Sequence, residues 1–360
     1  MPLRVIQWTT GNVGRQAVRA IVGDPDLELV GVYAHSADKV GKDAAELCRL
    51  PEPTGVVATS DVDALLALGP DACAYTPVFP DLDEMCRLLE ARVNVCSTSA
   101  FLTGRGLGKG SIPGWTGDAK ARLEAATAAG GSTVYGSGMN PGFADLLAIA
   151  GSHGLRTVDQ VRVLESVNTA GYESPEGQWL SGMGRSLDEP DLVASIGRGS
   201  AVFEDAIEVM ARTMRADLDD ITFDADFVLT TEDEDFGYMT LPTGTIGATD
   251  ARWRGWVGGR DAIVLRVQWV MGNHLETPVE IQHGYLVEID GDPSLAMRVN
   301  LLPPKDFDWE HENPMAIGML FTAMPAVNAI PHVVAAPPGI ATYATLPLMG
   351  GRLAGGSPAR

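Results

Sequence analysis

Apolar positions along the first 150 residues fall in short runs separated by stretches of helical spacing. The runs are Val5 to Trp8, Leu27 to Tyr33, Ala72 to Thr76, Val93 to Ser97 and Ser132 to Tyr135. Between them Asp63 to Ala67, Asp81 to Ala91 and Gly117 to Ala129 read as helices, several with an aspartate near the start, where the helix dipole favours negative charge. Alternation of this kind predicts an α/β domain, a doubly wound parallel sheet covered on both faces. After Gly154 longer runs of period two appear, at Val158 to Val167, Ile221 to Thr230, Ala262 to Met271 and Val279 to Ile289. They predict a second, α+β domain on a largely antiparallel sheet. Asn313 to Ile330 reads as a buried helix, followed by a proline-rich run from Ala335 to Gly339. The expected domains are residues 1–150 and 151–312, with 313–349 returning to the first and 350–360 a tail.

The first strand runs into Thr9-Thr10-Gly11-Asn12-Val13-Gly14 and then a helical pattern, and a second apolar run arrives at the distance of a βαβ unit. Such a turn suits a dinucleotide: Gly11 lets backbone approach a pyrophosphate, Gly14 lets the helix pack on the strand, and the first N–H groups of the helix hold the anion. Thr9 stands where the fingerprint has its first glycine. The corner after the second strand, Ala34-His35-Ser36-Ala37-Asp38-Lys39, lacks a carboxylate at the strand's end. Ser36 and Lys39 can donate to a 2′-phosphate and His35 can flank an adenine, which favours NADP(H) with NAD(H) as the second choice; the alternative is a solvated loop with one lysine. Thr76 and Pro77 follow the next strand, either against the nicotinamide ribose or as plain turn chemistry.

With 26 basic and 47 acidic residues the net charge is −21, so nucleic acid and anionic membranes are expected to be repelled, leaving small molecules and further copies of the chain as partners. No basic leader precedes an apolar run, and no stretch is expected to approach the roughly 20 apolar residues of a membrane helix, so a cytoplasmic protein is expected. Cys48, Cys73, Cys86 and Cys96 lack zinc-site spacing and read as reduced, mostly buried thiols, with no metal implied. The acidic runs Glu232 to Asp235 and Asp217 to Asp226 read as solvated turns.

Thr103 to Gly117, glycine-rich and carrying Arg105 and Lys109, reads either as a lid over a cleft between the domains or as a surface excursion. Pro141 suits an early helical position with Asn140 as its cap, although that amide can equally bond a substrate or the nicotinamide. Glu165 to Glu173 ends a strand and enters a polar loop, a candidate substrate wall. There Tyr172 can protonate a nascent alkoxide or amide nitrogen, Glu165 can take a proton from an ammonium group, and Asn168 and Glu173 can contact substrate; alternatively the Tyr172 ring packs on the core with its hydroxyl wet.

The opening Ile6 to Gly14, the corner Val32 to Ser36, Asn140-Pro141-Gly142, Val267 to Gly272 and Asn328 to Pro331 together resemble the dihydrodipicolinate reductase-like superfamily, most closely its branch of 2,4-diaminopentanoate dehydrogenase and native amine dehydrogenases. The resemblance implies an N-terminal Rossmann domain, an α+β second domain, a homodimer and NAD(P)H-linked chemistry at a C–N bond. Amine dehydrogenases carry a glutamate shortly after the fifth strand, whereas this chain has no carboxylate between Glu90 and Asp118. Hydride transfer to or from a C=N or C=O carbon is therefore the leading expectation, and a non-catalytic NADP-binding sensor the alternative.

Overall fold

The computed structural model describes residues 1–99, 102–104, 118–303, 307 and 313–353. The chain forms two compact units, the second spanning Ala144–Ile317 and the first built from the chain before and after it. In order, the first unit supplies β1 (Leu3–Trp8), α1 (Asn12–Gly23), β2 (Leu27–Tyr33), α2 (Ala44–Cys48), β3 (Ala58–Thr59), α3 (Val62–Ala67), β4 (Ala72–Tyr75), α4 (Leu82–Glu90), β5 (Asn94–Ser97), α5 (Ala119–Gly130) and β6 (Thr133–Gly136). The second supplies α6 (Ala144–Ser152), β7 (Thr157–Asn168), α7 (Pro175–Leu180), α8 (Leu192–Gly199), α9 (Val202–Thr213), β8 (Asp220–Leu229), β9 (Glu234–Asp235), β10 (Thr240–Leu241), β11 (Ile246–Val257), β12 (Arg260–Val270), β13 (Gly284–Asp292) and β14 (Leu295–Val299). Helix α10 (Met315–Val334) and β15 (Gly339–Ala341) end the order.

The first unit carries a seven-stranded parallel sheet of order β15-β6-β5-β4-β1-β2-β3. Neighbouring residues on β1 feed its opposite faces, Val5 one core and Ile6 the other. Trp8 stacks on Tyr33 at 4.0 Å and gives its indole N–H to Glu84 of α4, which also accepts from the Tyr75 hydroxyl. A buried polar tip is thereby satisfied and α4 is pinned under β1 and β4. Gly318 onward belongs to this unit, and Ala326, Ile330 and Val333 of α10 enter its core.

Helix α10 corrects one expectation: by length and composition its 20 residues are enough to cross a membrane. Its buried residues pack instead among Val5, Val18 and Ile21. The break between units falls at Phe143, ahead of residue 150, because α6 packs on the second sheet. A Cβ on its Gly151 would stand 2.8 Å from Leu295 and 3.2 Å from Ile289.

That sheet has the order β14-β13-β7-β12-β11-β8, antiparallel except for β7 beside β12. On one face Val163, Leu265, Val287, Trp253 and Phe223 meet the helices, with Phe203 of α9 stacked on Trp253 at 4.1 Å. The other face is laced with ion pairs, Arg162 to Glu288 and Asp290, Arg252 to Asp224, Asp226 and Asp250, and Arg266 to Asp250.

Neither acidic run is simply a solvated turn. Asp220 to Asp226 lies in β8, and Glu234 is buried, accepting from the Asn273 backbone and side-chain N–H groups at 2.8–2.9 Å and from His274 N at 3.0 Å. Burial raises its carboxyl pKa, but the bonds from His274 and Asn273 outweigh that and hold it below the usual range. All four cysteines are free and buried; burial pushes the Cys48 thiol up to about 11 and raises the others, so they remain inert thiols.

Candidate functional site

In the first unit the chain leaves β1 through Thr9, whose φ of 71° lies in the left-handed region that favours glycine. The missing fingerprint glycine is thus a conformation retained with a different residue. Strain of about 1–3 kcal/mol accompanies such a residue. Local bonds hold it: Thr9 N donates to Tyr33 O at 3.0 Å, and Gln7 Nε2 donates to Thr9 O at 3.0 Å. Gly14 packs as its role requires, since a Cβ there would come within 2.4 Å of Thr9 O and 2.9 Å of Thr76 Oγ1.

Helix α1 begins at Gly11 without a side-chain cap and without an acid in its first turn. A Cβ on Gly11 would meet nothing within 4 Å, so space lies in front of the helix start. Thr10 is buried there with its hydroxyl unmatched by any hydrogen-bond partner. Free N–H groups, a positive dipole end, room and an unmatched hydroxyl fit the phosphates of a dinucleotide. In the first turn beside them Asn12 is exposed and Val13 is half-buried against the core.

At the β2 corner His35 sets its ring edge on Tyr33 at 4.9 Å, with Nδ1 3.3 Å from the Tyr33 hydroxyl. Ser36, exposed, and Lys39, half-buried, share one turn, closed by Lys39 N donating to Ser36 O at 2.9 Å. Thr76 is placed differently from the expectation of a ribose contact. Its buried hydroxyl donates to Trp8 O at 3.0 Å and accepts from Gln7 Nε2 at 2.7 Å, stitching β4 to β1. Pro77 O accepts from Ser99 Oγ at 2.6 Å. Both contacts reach across the sheet's C-terminal edge and are neither local turn bonds nor a ribose contact.

Asn140 does not cap a helix. Asn140, Pro141 and Gly142 have non-helical dihedrals, with Gly142 at φ 143°, and α6 starts only at Ala144. The turn stands after β6, where the Ser137 hydroxyl lies 2.7 Å from that of Tyr343 and a Cβ on Gly142 would come within 2.9 Å of the Tyr343 oxygen. Tyr343, brought by β15, was not legible as a site residue: 206 positions separate it from Ser137.

In the second unit Glu165 lies on the helix-covered face of β7, opposite Tyr285 of β13. The Tyr285 hydroxyl pKa is raised well above its usual value, first by burial and then by the charges of Glu165 and Asp145. Asn168, three residues further along β7, belongs to the opposite face. It lines a hollow with Val270, Asn273, Leu275, Pro278 and Ile281, and its Oδ1 accepts from Ala170 N at 2.8 Å. Glu165 and Asn168 are therefore not brought together.

Tyr172 is half-buried in the following turn, next to Gly177, where a Cβ would come within 2.9 Å of its ring. Burial raises its hydroxyl pKa and a bond with Ser174 partly offsets this. Glu173 is exposed. Gln178 ties the loop, donating to Thr169 O at 2.7 Å and to the Tyr238 hydroxyl at 3.2 Å. Of the glycine-rich segment Thr103 to Gly117, residues 105–117, with Arg105 and Lys109, lie outside the described residues. Among the described residues no group of three His, Cys, Asp or Glu is placed to hold a metal ion.

A solved amine dehydrogenase of Mycobacterium smegmatis shares the fold, with a TM-score of 0.74 at 20% identity over 98% of both chains. GenD2 of gentamicin A biosynthesis, solved in complex with NAD, follows it with a TM-score of 0.53 at 15% identity over 91% of this chain and 86% of its own. In sequence, an amine dehydrogenase of Streptomyces virginiae is 29% identical over 364 residues, covering 96% of each chain. Residues 144–355 match the 2,4-diaminopentanoate dehydrogenase C-terminal domain. With more than half of its length matched, the chain belongs to the 2,4-diaminopentanoate dehydrogenase family, a branch of the dihydrodipicolinate reductase-like oxidoreductases.

Proposed function

We propose that the protein is an NADPH-preferring oxidoreductase that moves hydride to or from a C=N or C=O carbon of a small molecule. The observation that carries the reading is the bare start of α1: uncapped N–H groups, Gly11 facing open space and no acid in the first turn. A bound nicotinamide cofactor would supply the hydride. The chain's residues do the rest. The first turn of α1, with Thr10, holds the pyrophosphate, while Ser36 and Lys39 meet the 2′-phosphate and His35 flanks the adenine.

Tyr172 serves as proton donor to a nascent alkoxide or amide nitrogen, and burial, by raising its pKa, keeps that proton in place at neutral pH. Glu165, beside Tyr285 and Asp145, and Glu173 orient the substrate, Asn140 bonds the nicotinamide amide, and Asn168, on the other face of β7, stays outside this set. Two copies pair through the ion-paired face of the second sheet, because a sheet with helices on one face needs another cover. The protein works in the cytoplasm.

Fluorescence titration with NADPH and NADH, followed by a ketone, imine and amine screen, tests the reading. Expected are tighter NADPH binding, poor use of free ammonia, and a Tyr172→Phe variant slower by about 10²- to 10⁴-fold with cofactor affinity intact. Efficient ammonia-dependent amination by the unaltered protein would move the proton role to Glu165 or Glu173. Tight cofactor binding with no turnover in any arm would favour the non-catalytic sensor.

A further inference from the structure

The adenosine end of the proposed cofactor site holds a cation that the motif and the β2 corner do not account for. Arg15 is the fourth residue of α1, and Arg19 follows one turn later on the same face. That face is fixed: Arg19 Nε donates to Cys48 O at 2.8 Å, tying it to the end of α2. Lys39 approaches the same place from the β2 corner. Arg15, Arg19 and Lys39 each pull against the rise that burial imposes on the Cys48 thiol, so all three charges act on the end of α2.

Of the nearby acids Asp38 lies exposed in the turn beside Lys39 without forming a salt bridge among the described residues, and two others are engaged elsewhere. The Asp43 carboxylate accepts from Ala45, Thr54 and Gly55, and Glu46 pairs with Lys42. Arg15 Nε is buried and meets no hydrogen-bond partner, and among the described residues neither Arg15 nor Lys39 forms a salt bridge. In a chain of net charge −21, two cations without a salt bridge beside an uncapped helix start call for an anion from outside.

We infer that Arg15 and Lys39 form a two-cation clamp on the 2′-phosphate of NADPH, so that Arg15 is the second determinant of cofactor choice. The inference rests on the NADPH reading above. Arg15 lies one turn into the helix, beyond the N–H groups that hold the pyrophosphate, and on the side facing the β2 corner. A guanidinium there adds a planar, paired donor to the single point charge of Lys39.

The experiment measures affinities of the unaltered protein, Arg15→Gln and Lys39→Ala for NADPH and NADH, and for the fragments adenosine 2′,5′-bisphosphate and 5′-AMP. Thermal melting checks that each variant folds. Arg15→Gln should weaken NADPH and the bisphosphate on the order of 10- to 100-fold and leave NADH and 5′-AMP within about 2-fold. Equal loss of both dinucleotides would place Arg15 on the pyrophosphate and overturn the clamp, as would no loss at all. An unaltered protein that binds NADH as tightly as NADPH removes the NADPH reading itself. Preference retained in Arg15→Gln but lost in Lys39→Ala overturns only the part given to Arg15. If Arg15→Gln melts early, Arg15→Lys keeps the charge and should retain most of the preference, and its failure to do so counts against a charge-reading role.

Discussion

Helices α1 and α4 start after neighbouring strands, β1 and β4, of the same parallel sheet, yet their first turns are built in opposite ways. Asp81 caps α4, accepting from Asp83 N and Glu84 N, and both of those residues are themselves acids. The same holds at α2, where Asp43 accepts from Ala45 N, and at α3, where Asp61 accepts from Ala64 N. Helix α1 has Gly11 at that position, no side-chain acceptor and no acid. The chain has carboxylates in excess and uses them on α2, α3 and α4. Their absence from α1 marks the helix start whose N–H groups answer to an external anion, because an internal carboxylate would occupy the donors and repel phosphate.

The largest effect should come from making α1 resemble α4. Gly11→Asp places a capping carboxylate at a position with open space, so the fold should be as stable as before or slightly more so. Dinucleotide affinity should fall by more than about 100-fold, equally for NADPH and NADH, since the pyrophosphate loses its donors and meets a negative charge. Calorimetric titration alongside a thermal melt separates the two readouts. Retained affinity with a folded variant would remove α1 from the cofactor site.

A smaller effect distinguishes the two ends of α1 itself. Gly14→Ala pushes a methyl group to within 2.4 Å of Thr9 O, a backbone atom that cannot swing aside, whereas Gly23 has nothing within 4 Å. Gly14→Ala should cost about 1–3 kcal/mol in denaturant unfolding. Gly23→Ala should be neutral or stabilising by up to about 1 kcal/mol. Similar values for the two would mean that Gly14 is not the close-packing residue of the turn.

Much of this was legible because it is local. The parallel strands are short apolar runs since both faces are buried, and the phosphate turn is continuous in sequence. Local signal ends at Thr9, whose residue type hides the positive φ that a glycine would have announced. Strand β11 escaped the apolar pattern because Asp250, Arg252 and Arg254 alternate with its buried residues, and their partners on β8 and β12 are known only once the sheet forms. Glu234 reads as a surface acid until Asn273 and His274, 39 and 40 residues away, deliver their N–H groups. Tyr343 and the facing of Glu165 toward Tyr285 have the same character: each is a pairing across distant strands, which periodicity does not encode.

The smallest expected effect concerns pH and uses α2 as the counterpart of α1. The Asp43 carboxylate is raised by burial but lowered further by donors from Ala45, Thr54 and Gly55, for a net pKa below the usual value. An unfolded aspartate titrates near about 3.9. With the folded value depressed, the ionised cap contributes stability that is fully present above the unfolded pKa and is lost as pH falls through the folded one. Asp43→Asn keeps one acceptor for Ala45 N but presents no second carboxylate oxygen to Gly55 N. It should therefore be less stable than the unaltered protein at pH 7, with the gap narrowing once both proteins are taken below the carboxylate range. Gly11→Asp, measured without cofactor, should acquire the same acid sensitivity at α1, where the unaltered helix start has none. A gap for Asp43→Asn that stays constant down through that range would show that its donors do not distinguish the charged carboxylate, and would weaken the contrast between a helix start closed by its own acid and one left open for a phosphate.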